Sequence, residues 1–69
     1  MGQPNAQFAV GDYLTIYCGA NEGCCFTVRA VRWAAAAVWR TACWEYDTGS
    51  YGWRAERTIS TEAHARLFA

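Results

Sequence analysis

Apolar and polar residues alternate from Tyr13 to Cys18, with Leu14 and Ile16 on one side and Tyr13, Thr15 and Tyr17 on the other. A period of two predicts a β-strand with one half-buried face. Phe8 and Val10 precede it as apolar anchors, and Gly11-Asp12 supplies a turn. Gly19-Ala20-Asn21-Glu22-Gly23 reads as a second turn. Cys24 to Trp33, rich in β-branched and aromatic residues, is the second predicted strand, and Val38 to Tyr46 the third. Between them, Ala34 to Ala37 favours helix by propensity but is too short to sustain one, so it is read as a four-residue hairpin loop.

The densest signal runs from Trp44 to Trp53: a strand end, an Asp47-Thr48-Gly49 turn and a fourth strand over Ser50 to Arg54. Ala55-Glu56-Arg57 then predicts one tight turn and Thr58-Ile59 a brief fifth strand. Ser60 can N-cap a short terminal helix, with Glu62 in its first turn and Arg66 in its last. Ile59, Ala63 and Leu67 would form the apolar stripe of that helix. Residues 1–7 are polar and read as a loose lead-in. The expectation is one all-β domain over residues 1–69, with about five short strands and a helical tail over 60–69.

A four-residue loop at Ala34 to Ala37 would set Trp33 opposite Val38, Val31 opposite Arg40, Arg29 opposite Ala42 and Thr27 opposite Trp44. One hairpin face would then carry Cys24, Phe26, Val28, Ala30, Trp39, Thr41 and Cys43. It is nearly uncharged and is the expected core. The other would carry Arg29, Val31, Trp33, Arg40, Trp44 and Tyr46. Guanidiniums interleaved with indoles suit cation–π contacts and interfaces. A bulge in a curved strand would shift this assignment locally.

The order Phe8-Ala9-Val10-Gly11-Asp12, then Gly23 leading into Phe26, Val28, Val31 and Trp33, then Asp47-Thr48-Gly49-Ser50, then Gly52-Trp53-Arg54-Ala55-Glu56 running into Ile59 resembles the small SH3-like (Tudor-like) barrels of short bacterial proteins. The resemblance covers residues 8–59. It implies that the Gly-Asp turn launches the first strand and that Trp53 to Glu56 makes a helical turn before the last. Arg-rich, Lys-free chains of this kind look like products of mobile gene cassettes and phages. The chain departs from the pattern at Ala34 to Ala37, where a polar, Gly-containing turn is usual, and in the tail after Ser60. The fold is shared by an oligomeric enzyme, the plasmid-borne type II dihydrofolate reductase. Its pore-lining Val-Gln-Ile-Tyr segment has no counterpart in Thr58-Ile59-Ser60-Thr61.

Composition sharpens this picture. Sixty-nine residues bury only about 60% of the surface their unfolded chain exposes. Four Trp, four Tyr and three Phe therefore exceed what so small a core encloses. Six Arg against six acidic residues give zero net charge. That balance lacks the electrostatic footprint of a general nucleic-acid binder and leaves little self-repulsion between copies. No apolar run reaches the roughly 20 residues of a membrane span. The first eight residues lack the regions of a secretory signal, so the chain is expected in the cytoplasm with its thiols reduced.

Cys18, Cys24, Cys25 and Cys43 lack the paired spacing of structural zinc sites and are read as buried free thiols. His64, the one histidine, falls in the expected helix. Glu45 and Asp47 flank the central turn without the makings of a catalytic dyad, and no phosphate loop or Ser/His/Asp arrangement is present. The favoured reading is thus a binding or assembly module with no cofactor, self-associating through exposed aromatics. The expected ligand or partner surface is Trp33, Trp44, Tyr46, Arg29, Arg40, Tyr51 and Trp53, with Trp44, Tyr46, Tyr51 and Trp53 as candidate rings of an aromatic cage. The competing classes are an oligomeric small-barrel enzyme with a site between subunits and a single-strand binder that stacks bases on rings and Arg.

Overall fold

The computed structural model describes residues 4–61. Six strands occur in the order β1 (Tyr13–Ile16), β2 (Cys25–Thr27), β3 (Ala30–Ala34), β4 (Cys43–Asp47), β5 (Trp53–Ala55) and β6 (Ile59–Ser60), with a 3-10 turn over Glu56–Thr58 before β6. They form two separate antiparallel sheets, β2-β1-β6 and β3-β4-β5. The chain is all-β in its described residues, and no ladder closes the two sheets into one barrel. No helix among those residues is long and apolar enough to cross a membrane.

β1 begins after a turn in which Asp12 Oδ2 accepts from the Ala9 amide at 2.9 Å and the Asp12 amide donates to the Ala9 carbonyl. As the middle strand of its sheet, β1 buries Leu14, Thr15 and Ile16 together, so its alternation is less strict than expected. Thr15 tolerates burial because its hydroxyl lies 3.4 Å from the Cys25 thiol.

The predicted second strand is broken. The Val28 amide donates to the Asp12 carbonyl, whereas the next amide, Arg29, donates to Asp47. Consecutive amides thus bond to the residue before β1 and to the end of β4, and the chain bends between β2 and β3. Phe26 and Val28 face the core, but so does Val31, three residues on rather than two. This shift of phase is what a bulge produces.

The predicted hairpin register is corrected as well. Trp33 pairs with Trp44, Val31 with Tyr46, Arg32 with Glu45 and Ala34 with Cys43. Ala37 and Arg40 form an isolated bridge three positions further along both arms, which puts Val38 and Trp39 at the tip of a two-residue turn. Among the described residues Asn21 is the one non-glycine with positive φ. The tip therefore cannot adopt the primed turns whose twist matches a two-stranded ribbon, and unprimed turns splay the strands. The interrupted pairing between Ala34–Cys43 and Ala37–Arg40 follows. β4 consequently starts at Cys43 rather than Val38.

The central turn forms as expected. The Gly49 amide donates to Asp47 Oδ1 at 2.8 Å, and the Thr48 hydroxyl donates to the Gly52 carbonyl at 2.7 Å. Gly49 has a φ of 82°, a value that disfavours side chains. β5 starts at Trp53, later than the predicted Ser50. Ser60 is buried in β6 opposite Thr15; the helix it was expected to cap lies outside the described residues, as does His64.

The core sits where the sheets face each other. Phe8, Leu14, Ile16, Phe26, Val28, Tyr46 and Ile59 form it, with Cys24, Val31, Trp44 and Tyr51 packed around them.

Candidate functional site: an aromatic tip and a polar cleft

The expected surface does not form as one face. Tyr46 is 0% exposed and sits in the core, its ring 5.6 Å from that of Phe8 in an edge-on contact. Trp33 and Trp44 are half-buried and meet edge to face at 5.2 Å. The Trp44 indole N–H donates to the Pro4 carbonyl at 2.7 Å, so Trp44 anchors the lead-in rather than awaiting a ligand. Tyr51 packs against the core, and hydrogen bonding to the Cys24 thiol pushes its pKa up. Trp53 pairs across from Asp47, the neighbour of Tyr46, and so points to the opposite side of the sheet from Tyr46. The four rings do not converge into a cage.

The outer face of β3-β4-β5 does carry a cation–π contact, but with Arg32. Its guanidinium lies 3.9 Å from the centroid of the Trp53 ring, and its Nε donates to Glu45 Oε1 at 2.8 Å. Arg40 reaches Glu45 at 3.8 Å and donates to the Ala35 carbonyl, bracing the hairpin. The Arg29 side chain lies across Gly49, where an added Cβ would come within 3.2 Å of its Cδ. Arg32 and Arg40 thus both engage Glu45.

The residues that stand free are ones assigned to the core face or left in its strand. Val38 is fully exposed and Trp39 is 82% exposed at the hairpin tip. Around them Ala35, Ala36 and Ala42 are also exposed, and Arg40 is the one charge of the segment 35–42. An indole held in water at the end of a braced turn is the largest single departure from apolar burial in the described residues.

An open cleft of about 420 Å³ has walls that include Tyr17, Thr41, Cys43, Glu56, Arg57 and Ile59. The 3-10 turn brings Glu56 there. Glu56 Oε2 accepts from the Tyr46 hydroxyl at 2.5 Å and from the Gln7 amide at 3.1 Å. The Phe8 amide in turn donates to the Tyr46 oxygen at 3.3 Å. Burial, reinforced by the bond to Glu56, pushes the Tyr46 phenol up to about 12. The chain Phe8–Tyr46–Glu56–Gln7 fixes a carboxylate in the cleft wall and pins the segment expected to be loose.

Cys18 is exposed, and Cys24, Cys25 and Cys43 are half-buried; all four are free thiols, less enclosed than expected. Among the described residues no three His, Cys, Asp or Glu side chains gather as metal ligands. Sequence reading missed Trp39 and Glu56 as site residues. Trp39 could have been found from the run Ala34 to Ala37 followed by Val38, since alanines can extend both arms of a hairpin as readily as close it. No family model, curated protein or solved structure matches the chain.

Proposed function

We propose that this chain is a small SH3-like barrel working as a binding and assembly module, and that it self-associates through exposed aromatic residues in the cytoplasm. The fold reading is supported by strand order: a bent segment shared by both sheets, three meandering strands, and a 3-10 turn before the last strand.

The observation that carries the function is the Val38–Trp39 tip. Burying an indole removes about 150–250 Å² from water. At roughly 25 cal/mol per Å², covering it would contribute about 4–6 kcal/mol before association entropy is subtracted. Zero net charge leaves copies free to approach. The surface differs from the one expected on sequence grounds: Trp39 and Val38 take the place of Trp33, Trp44 and Tyr46. Light scattering over a dilution series is the test. A mass that falls from dimer or larger to monomer on dilution supports self-association; a monomer at every concentration up to the millimolar range refutes it.

A further inference from the structure

The polar cleft draws its walls from segments far apart in the chain. The Tyr17 amide donates to the Thr58 carbonyl at 2.9 Å, which sets Tyr17 beside the 3-10 turn and β6. Glu56 and Arg57 come from that turn, Ser60 from β6 and Thr41 from the approach to β4. Two opposite charges thus line one void of about 420 Å³. No ion pair joins them: the ion pairs among the described residues are those of Arg32 and Arg40 with Glu45. Glu56 uses Oε2 for both the Tyr46 hydroxyl and the Gln7 amide, while its Oε1 accepts from none of the described residues. Arg57 is exposed, and its guanidinium donates to none of them. Ser60 is only 6% exposed, yet its hydroxyl bonds none of them either.

We infer that this cleft binds a small zwitterion of the free amino acid type, its ammonium against Glu56 Oε1 and its carboxylate on the Arg57 guanidinium. A guanidinium is a planar fork of N–H donors that matches a carboxylate, and an oriented carboxylate oxygen takes an ammonium donor. The hydroxyls of Thr41 and Ser60 can serve either end of the ligand, since each both donates and accepts. Charge decides the class. A purely anionic ligand would meet the Glu56 carboxylate, and a simple amine would meet Arg57; a molecule carrying both charges is matched at both. The volume lies at the lower end of the roughly 300–1,000 Å³ of small-molecule sites. Ile59, the one aliphatic side chain among the described walls, is 2% exposed, so a hydrophilic amino acid side chain suits the rest of the void. No residue of the Val38–Trp39 tip takes part, and binding here does not depend on self-association.

The test is an amide NMR titration of the full chain with L-serine and L-glutamine, beside their N-acetyl and carboxamide derivatives. The free amino acids should shift the amides of Tyr17, Thr41, Arg57 and Ser60 saturably, with a dissociation constant in the millimolar range or tighter. Capping either charge of the ligand should weaken binding at least about 10-fold, the scale of a hydrogen bond to a charged group. Arg57→Gln should weaken the free amino acids at least about 10-fold and leave the carboxamides nearly unaffected, because those ligands have already lost the matching charge. Glu56→Gln should show the same pattern with the N-acetyl derivatives. Glu56 also holds Tyr46 and Gln7, so the exposed Arg57 decides the matter if circular dichroism shows the Glu56 variant unfolded.

An absence of saturable shifts into the tens of millimolar overturns the inference. Phosphate or ethylamine binding as tightly as the amino acids overturns it too, since a site for a single charge would then account for the cleft. An Arg57→Gln chain that binds as the unaltered one does, or shifts centred on Val38 and Trp39, would equally place the ligand elsewhere.

Discussion

Replacing Tyr46 with Phe removes one oxygen from the interior and tests how the described N-terminal segment is held. That oxygen donates to Glu56 at 2.5 Å and accepts from the Phe8 amide at 3.3 Å. A hydrogen bond to a charged group contributes about 1.5–3 kcal/mol, and the longer, neutral bond less than about 1 kcal/mol. The expected loss at neutral pH is therefore about 2–3 kcal/mol. A domain of this length has roughly 3–10 kcal/mol in total, so the variant should fold but melt about 10–20 °C lower.

The pH dependence gives a second arm. Folding raises the phenol from 10.0 to about 12, so the folded state holds this proton more tightly than the unfolded chain does. Its contribution is complete below pH 10 and is lost as pH rises through 12. A shift of that size corresponds to about 3 kcal/mol at 1.36 kcal/mol per unit. Urea unfolding of both proteins at intervals from pH 7 to 11.5 measures the gap. It should be about 2–3 kcal/mol at pH 7 and narrow steadily above pH 10. A gap under about 0.5 kcal/mol at pH 7, or one that stays constant through pH 11.5, would show that the Tyr46–Glu56 bond does not hold the structure together. A double-mutant cycle with Glu56→Gln should return a coupling of at least about 1 kcal/mol.

Gly49→Ala should cost about 1–2 kcal/mol by chemical denaturation, because φ of 82° opposes a Cβ and Arg29 must move aside. Trp44→Ala should cost about 2–4 kcal/mol, as it removes the Trp33 contact and the bond to Pro4; a stable, merely non-associating variant would contradict its anchoring role. Arg32→Ala, on an exposed face, should change stability by less than about 1 kcal/mol, and its indole partner should show an altered Trp53 fluorescence in a variant where Trp53 is resolved by difference. Trp39→Ala should leave the urea midpoint of the dilute monomer unchanged, since a side chain 82% exposed has little packing to lose.

Much of the fold was legible because its signals are local. The Gly11-Asp12 turn, the Asp47-Thr48-Gly49 turn, and the tight turn at Glu56 followed by Ile59 are all fixed by residue types within a few positions of one another. The hairpin was not, for a reason of the same physical kind. Alanine carries no preference between arm and tip in a ribbon, so Ala34 to Ala37 permitted two registers; they differ by six positions in β4, an even number, so Val31, Trp33, Trp44 and Tyr46 share a face in both. The break at Val28–Arg29 is what turned that face inward, because a change of hydrogen-bonding partner between adjacent amides leaves no mark in a pattern of apolar and polar letters. Tyr46 was thus placed outside and Trp39 inside, the reverse of what the structure holds. Glu56 was legible as a turn residue but not as a cleft wall, since its partners Gln7 and Tyr46 lie 49 and 10 positions away.

The bend at Val28–Arg29 bears on how the protein opens. Two sheets joined only by a slack linker could fray one at a time, each with its own protection against solvent exchange. Here one amide bonds the residue that leads into β1 and its immediate successor bonds the end of β4, so releasing either sheet drags the donor of its neighbour out of place. The amides of Leu14, Val28, Arg29 and Tyr46 should accordingly exchange with deuterium at a common limiting free energy, that of global opening, and behave as a single cooperative unit despite the absence of a continuous ladder.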